Sequence, residues 1–430
     1  MRLLKLRIEK PIYGGAGLAR AEGKAVFVPF TLPGEEVEAT IVADKGGFST
    51  AELQSVLEPS PARTQPPCPY FGQCGGCHYQ HADYATQIEM KSAILRETLE
   101  RARIRAIPDI QPVSGEPLGY RNRIRLHVQA NPFSLCYKFH KSHTNLPVTT
   151  CPIALPALQS AIEILNRNGQ SLGLAPFVTE IELFAVPDGS ALLLSLWTNG
   201  PAPAAKEFLE QIAPLLRQIL PAVQGIGVFA VERNRTTNRL LAKSGEDALL
   251  YPSGHHRYRV SLGSFFQVNR FFIDPLIQVA TAGETGLNAW DLYAGVGLFS
   301  LPLTQSFAEV TAVESSPSAV RGLRENLRGT KHRIVAAETA SFLRQSLTQR
   351  QPAPDLVVVD PPRAGLGRDV TTALGKIGPR KITYVSCDPS TLSRDLAALL
   401  ESGYRLRNMH LLDLFPQTFH LETVTRLSLG

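Results

Sequence analysis

Cysteine is scarce in this chain, six residues in 430, and the six are too few and too clustered to build the disulfide framework of a secreted domain. Long apolar runs are missing too. No stretch reaches the roughly 18 uninterrupted apolar residues that a membrane span needs, and Met1-Arg2-Leu3-Leu4-Lys5 leads into mixed charge instead of a signal-peptide core. A dominant charge is also lacking: 44 Lys and Arg against 38 Asp and Glu leave +6, which favours a polyanionic partner only mildly. A cytoplasmic monomer without a membrane partner is expected, and the length suffices for about two to three domains.

What cysteine there is carries a pattern. Cys68, Cys74 and Cys77 form a C-x5-C-x2-C run, and Cys151-Pro152 repeats the Cys-Pro pair of Cys68-Pro69. The short gap lets Cys74 and Cys77 reach one centre, and Gly75-Gly76 lets the backbone turn tightly around it. Four thiolates suit a [4Fe–4S] cluster or tetrahedral zinc, and spacing alone does not separate the two. Cys136 lies in an alternating, strand-like stretch and reads as core.

Periodicity divides the chain. Short strands at Leu4–Ile8, Gly17–Ala21, Ala25–Val28, Glu36–Val42 and Ser49–Leu57, punctuated by Pro33-Gly34-Glu35 and Lys45-Gly46-Gly47, suggest a five-stranded barrel over residues 1–59. Its glycine-rich turn at 14–17 and scattered cations fit an RNA-binding, OB-like module, although such barrels also serve as structural caps. A proline-rich linker, 59–69, separates it from the cysteine run. Residues 83–107 have helical period. Between Lys91 and Arg125 eight basic residues face four acids, a stretch expected to hold backbone phosphates with strong salt dependence. From Tyr120 to about Val260, strands alternate with helices at Ala157–Arg167 and Ala204–Arg217, an α+β pattern without a catalytic signature.

The last third differs. An apolar strand, Leu287–Leu292, is followed by Tyr293-Ala294-Gly295-Val296-Gly297 opening a helix, and a second strand ends on Glu314. Glycines that let a ligand approach the turn, with an acid at the next strand end for ribose hydroxyls, are the logic of a nucleotide-binding βαβ unit. Without a third glycine there is no pyrophosphate cradle, so S-adenosylmethionine fits better than a dinucleotide. Further strands end at Glu338, Asp360 and Ser386, and Tyr404–Asp413 with Thr423–Leu429 resembles the terminal hairpin of class I methyltransferases.

The loops narrow the chemistry. Arg363 follows Asp360-Pro361-Pro362 where amine methyltransferases place an aromatic to stack on a base, and Cys387 is the one cysteine of the last third where cytosine-C5 enzymes use two. One thiol and one base suit uracil. Cys387 would add to C6, C5 would then take the methyl group, and Glu422, expected in the loop between the last two strands, would remove the C5 proton. The target base must be unpaired or extruded to reach a thiol. Phe265 and Phe266 are placed either to stack on it or to fill the core.

Taken together, Cys68-x5-Cys74-Gly-Gly-Cys77, Phe265-Phe266-Gln267-Val268-Asn269, Asp291-Leu-Tyr-Ala-Gly295-Val-Gly297, Asp360-Pro-Pro-Arg363, Ser386-Cys387-Asp388-Pro389 and His420-Leu-Glu422-Thr-Val424 resemble the RNA uracil-5 methyltransferase family. The likeness spans nearly the whole chain. It is closest to the branch with an N-terminal TRAM domain and an iron–sulfur cluster, whose bacterial members modify 23S ribosomal RNA. The resemblance implies an α/β protein with a TRAM/OB-like barrel at 1–59, a cluster-bearing α+β central domain at 60–83 and 111–259, and a class I, Rossmann-like methyltransferase domain at 84–110 and 260–430. It implies Cys387 as nucleophile, Glu422 as base, and Cys68, Cys74, Cys77 and Cys151 as ligands of a [4Fe–4S] cluster. It also implies Gln267, Tyr293, Glu314 and Asp360, beside Gly295, around the cofactor and uracil. A 23S ribosomal uridine is the expected target, with the T-loop uridine of tRNA, or a non-catalytic RNA binder with a redox-sensing cluster, as alternatives. Asp388 stands where the family commonly has Asn, which puts any hydrogen bond needing an amide donor there in doubt, and Tyr293 where it often has Phe.

Overall fold

The computed structural model of the chain describes residues 2–231 and 239–430, and the described strands form four sheets. In the first, Leu3–Arg7, Lys10–Pro11, Ala16–Ala21, Lys24–Pro29, Glu36–Lys45 and Phe48–Glu58 make six strands, one more than the sequence pattern indicates. The addition, Lys10–Pro11, is two residues long and carries no alternation to read. Alternate residues such as Val26, Val28, Val37 and Ala39 point into a small core. Three register shifts between the two longest strands bend the pair, as bulges do when a small sheet curls on itself.

Seven strands form the second sheet, in the order Asn145–Pro147, Ser134–Lys138, Arg123–Gln129, Val178–Ala185, Leu192–Thr198, Val223–Ala230, Leu240–Gly245. Leu192–Thr198 lies near its middle and is buried along its whole length, which explains its continuous apolar run. It pairs in parallel with Val223–Ala230, and the helix Ala202–Ile219 supplies the crossover such a pair needs. The hairpin Ala248–Ser253/His256–Ser261 sets Tyr251 and Tyr258 into a core shared with the last sheet.

That sheet has eight strands, ordered His332–Ala336, Phe307–Glu314, Gly286–Leu292, Leu356–Val359, Lys381–Ser386, Glu422–Leu429, Tyr404–Leu412, Ile110–Val113. The first five run parallel, and Glu422–Leu429 inserts antiparallel beside Lys381–Ser386. Chain order reverses between Gly286–Leu292 and Leu356–Val359, the switch point where open α/β sheets bind ligands. The edge strand Ile110–Val113 pairs in parallel with Tyr404–Leu412 and spans the expected division at residues 110 and 111. Its Pro112 is tolerated because an edge strand has an unpaired side.

The helix expected over 83–107 is Tyr84–Arg101, capped by the Asp83 carboxylate on the amide of Thr86 at 2.8 Å. It stops early because Arg103 takes a left-handed conformation, φ 61°. The basic stretch that begins on this helix is not one phosphate-binding face. Lys91 is 0% exposed; its ammonium pairs with Asp413 at 2.5 Å and donates to the Phe415 carbonyl at 3.0 Å. Arg123 donates to the Ser264 carbonyl and stacks over Phe184, and Arg121 is also partly covered. Arg96, Arg101, Arg103, Arg105 and Arg125 stay exposed. A lysine at a core-facing helical position is accommodated only because a buried carboxylate meets it; removing one partner of such a pair typically costs about 3–5 kcal/mol. Among the described residues no helix is long and apolar enough to cross a membrane.

Candidate active site

Strand register brings the site together. Lys381–Ser386 pairs with the last strand so that Ser386 faces Thr423 and Val385 faces Val424; one step outward, the same register sets Cys387 opposite Glu422. Glu422 therefore begins the strand instead of lying in the preceding loop. It pairs with Leu412 on its other side and is 4% exposed. Burial pushes the Glu422 carboxyl well above the usual carboxylate range, the neighbouring Asp360 raises it further, and Arg363 opposes both. Cys387 is half-buried, and its thiol is pushed up to about 12 by burial first, then by the charges of Glu422 and Asp360, again against Arg363.

Asp360 follows the strand Leu356–Val359, and its carboxyl is raised to about 7 by burial and by Asp291. Asp291, inside the sheet, is raised to about 7 by burial although Ser300 donates to it at 2.5 Å. Burial outweighs the Arg363 charge here and shifts these carboxyls and the thiol toward their protonated forms.

Two loops are fastened to one helix. Asp388 caps the helix Pro389–Glu401 by accepting from the amides of Ser390 at 2.9 Å and Thr391 at 3.0 Å, and its second oxygen accepts from the Tyr13 hydroxyl at 3.1 Å. Both oxygens are acceptors, so this position calls for no amide donor, and an aspartate satisfies it. The same helix holds the 360–366 loop. Thr391 donates to the Arg363 carbonyl at 3.1 Å, Arg394 to the Ala364 carbonyl at 2.8 Å, and the Leu366 amide to Asp395 at 2.7 Å. Gly365 has φ 74°, and a side chain there would collide with Asp395, so only glycine lets the loop lie this close. The clamp delivers Arg363 to Cys387 and Glu422. In the sequence Arg363 had meant only a missing aromatic; here it is the cation facing both groups.

On the other side of the switch point, Tyr293 turns with φ 64° and Gly297 with φ 94°. The Gly295 amide donates to one oxygen of Glu314 at 2.8 Å and the Ser316 amide to the other at 2.7 Å. A carboxylate offers about four acceptor positions, so capacity remains at Glu314 for hydroxyl groups of a ligand. Gln267 is buried, and its carbonyl accepts from Asn122 at 3.2 Å. Gln267 is joined to the crevice indirectly: Phe266 packs in one core with Val296, Leu298 and Phe299. The aromatic pair divides its labour, Phe266 at 2% exposure in that core and Phe265 at 69% facing out.

The four cysteines expected as ligands lie near enough to influence one another electrostatically. Cys77 is pushed up to about 12 by burial and by Cys151, Cys74 and Cys68, and Cys74 to about 11 by burial, Cys151 and Cys68. Their chemistry suits a four-thiolate group, and the Gly76 amide already donates to the Cys74 sulfur at 3.4 Å. They are not closed into a shell: among the described residues no three His, Cys, Asp or Glu side chains stand together as a group able to hold a metal ion. Cys136 is buried in its strand, as core.

Comparison with known proteins agrees with this architecture. The family described as tRNA (Uracil-5-)-methyltransferase matches residues 203–428, and the TRAM domain matches residues 3–53. An uncharacterized RNA methyltransferase of Aquifex aeolicus is 34% identical over 99% of this chain and 98% of its own length. The 23S rRNA (uracil(1939)-C(5))-methyltransferase RlmD of Pectobacterium atrosepticum is 33% identical over 95% and 90%. The crystal structure of Pyrococcus abyssi tRNA (uracil-54, C5)-methyltransferase in complex with S-adenosyl-L-homocysteine superposes with a TM-score of 0.78 at 23% identity, covering 99% of this chain and all of that one, which shows a common fold. With a family match over more than half of its residues and relatives aligned almost end to end, the chain belongs to the tRNA (uracil-5-)-methyltransferase family and carries an N-terminal TRAM domain.

Proposed function

We propose that this protein methylates C5 of a uracil in RNA with S-adenosylmethionine as donor, that its target is a uridine of 23S ribosomal RNA, and that Cys387 and Glu422 do the chemistry. The observation that carries the reading is the strand register that sets Cys387 opposite Glu422, with Asp360 and Arg363 beside both. The relatives named for a 23S uridine align over nearly the whole chain. Cys387, as thiolate, forms a bond to C6, and the C5=C6 electron pair shifts toward O4. C5, now nucleophilic, would take the methyl group from the sulfonium, whose sulfur–methyl bond would break with its electron pair returning to sulfur. Glu422, as carboxylate, accepts the C5 proton, the double bond re-forms, and the C6–S bond breaks to return Cys387. Arg363 favours the thiolate and carboxylate forms that Asp360 opposes. The exposed Phe265 is the ring available to stack on an extruded base. Bound S-adenosylmethionine would supply the electrophilic methyl group on a sulfonium cation, and Gln267, Tyr293, Gly295, Glu314 and Asp360 are the residues that would hold it.

Cys68, Cys74, Cys77 and Cys151 would hold a [4Fe–4S] cluster, with zinc as the other occupant their chemistry allows. Support comes from the mutual influence of the four thiols and from the Arg121 guanidinium among them, whose charge offsets theirs.

The target is tested by mapping 5-methyluridine in ribosomal and transfer RNA from cells with and without the gene. Loss at a single 23S position with tRNA intact is the expected result. Loss in the tRNA T-loop instead would replace the ribosomal target.

The cofactor site carries its own pH signature. Below about 7 the Asp360 carboxyl holds its proton and offers no charge to a sulfonium; as pH rises through that value it ionises and attraction appears. Affinity for S-adenosylmethionine is therefore expected to rise about three- to tenfold between pH 6 and pH 8 and then level off. S-adenosylhomocysteine, which lacks the sulfonium charge, should bind with a flatter profile. Calorimetric titration of both ligands, with Asp360→Asn as control, checks this; equal profiles would remove Asp360 from the cofactor's surroundings.

A further inference from the structure

The N-terminal barrel touches both reacting loops through one turn. Tyr13 sits in the Ile12–Ala16 turn, closed by the Ile12 amide on the Ala16 carbonyl at 2.9 Å. Its hydroxyl donates to the Asp388 oxygen left over from helix capping, at 3.1 Å, and Asp388 is the residue after Cys387. Its ring meets Phe419 edge-on, centroids 5.4 Å apart at 89°, and Phe419 lies in the loop that runs into Glu422. Gly15, two residues on, backs so closely onto His78 that a Cβ there would lie 3.1 Å from its side chain. His78 in turn packs on Phe419, centroids 4.6 Å apart.

The loop before Glu422 needs such support. It contains Gln417 with φ 68°, and it is held by the His78 and Tyr79 amides, which donate to the Gln417 carbonyl at 2.8 and 3.0 Å, and by the Gln417 amide, which donates to the Gln87 side-chain oxygen at 3.0 Å. Those bonds fix the loop to the helix Tyr84–Arg101 and to the cysteine segment. None of them reaches the Cys387 loop. The Tyr13 side chain touches the loops on both sides, donating to Asp388 and packing on Phe419. Burial and the Asp388 charge raise the Tyr13 hydroxyl, so it stays a donor at any working pH.

We propose that Tyr13 is a positioning residue for the reaction: through Asp388 and Phe419 it sets the Cys387 loop and the Glu422 loop at a fixed separation, which makes the barrel part of the active site as well as a module for RNA. The proposal rests on the reading of Cys387 and Glu422 as nucleophile and base.

Two measurements on the full-length protein test it. The first uses 23S RNA transcribed with 5-fluorouridine, whose fluorine cannot leave as a proton, so the Cys387 adduct accumulates. Tyr13→Phe removes one hydroxyl from a bond to a charged group, and adduct formation is expected to slow by about tenfold while the RNA dissociation constant stays within about twofold. An unchanged rate, or weaker binding with an unchanged rate at saturation, would overturn the proposal and leave Tyr13 an RNA contact or a packing residue. The second is hydrogen exchange without RNA. Tyr13→Phe should speed exchange at the Ser390 and Thr391 amides, and Tyr13→Ala should extend the effect to 417–421; exchange that changes only within 10–16 would reject the coupling. Should the wild type form no adduct at all, the assignment of Cys387 fails, and hydrogen exchange still decides whether Tyr13 joins the loops.

Discussion

Cys387→Ala is expected to abolish methyl transfer, with single-turnover rates falling by at least about 10⁴-fold, the range seen when a covalent nucleophile is removed. C5 of uracil is too weak a nucleophile to take the methyl group unaided, so no partial route through the remaining groups should survive. The change is otherwise mild. Cys387 is half-buried at the end of a strand whose hydrogen bonds are made by backbone, and the Asp388 cap beside it is untouched. Binding of S-adenosylmethionine and RNA should stay within a few-fold, since neither rests on the thiol. Transfer of labelled methyl groups to 23S RNA measures the first and filter binding the second. Appreciable turnover by Cys387→Ala would point to methylation at an amine, which needs no covalent attack.

The second large effect concerns Glu422. Glutamine has nearly the same shape and cannot accept the C5 proton, so Glu422→Gln should form the Cys387–C6 bond, transfer the methyl group and stall. A covalent protein–RNA species is expected to accumulate to near stoichiometry, visible as a band that survives denaturing electrophoresis and is absent from the double variant with Cys387→Ala. The same substitution should stabilise the fold at neutral pH. The Glu422 carboxyl is raised above its unfolded value by burial and by Asp360, so the unfolded chain gives up this proton at lower pH than the folded one. Stability is therefore lost as pH rises from the ordinary carboxylate range toward the raised folded value. Glutamine removes that loss. Glu422→Gln should unfold at higher denaturant than the wild type at pH 8, and the two should converge as pH falls below about 4, where Glu422 is protonated in the folded and the unfolded chain alike. A carboxylate kept where it destabilises the protein is the pattern of a group retained for chemistry.

Much of the frame was legible before folding. Lys381–Ser386 ends where the sequence pattern places its end, because a buried strand is a continuous apolar run closed by turn residues, here Asp388-Pro389. Less periodic pieces were not. Lys10–Pro11 is too short for a pattern, and Ile110–Val113 becomes a strand only because Tyr404–Leu412 has a free edge. Lys91 reads in the sequence as one more surface cation, because its partner Asp413 lies 322 residues away. Phe265 and Phe266 could not be told apart by residue type, since their opposite fates depend on which side faces Tyr251 and Tyr258.

Sequence alone put forward the thiol of Cys387 and the carboxylate of Glu422 as the pair to react, and the glycine-and-acid grammar of Gly295 and Glu314, because chemistry depends on residue type and βαβ units are local. Tertiary structure decided everything that depends on distance in space: that register sets Glu422 opposite Cys387, that Arg363 is carried to both by a clamp on the following helix, and that Tyr13, 375 residues from Asp388, reaches that residue from the barrel. Contacts of that range leave no periodic trace, since the two partners share neither an element nor a turn, and only the packing of the first sheet against the eight-stranded one makes them neighbours.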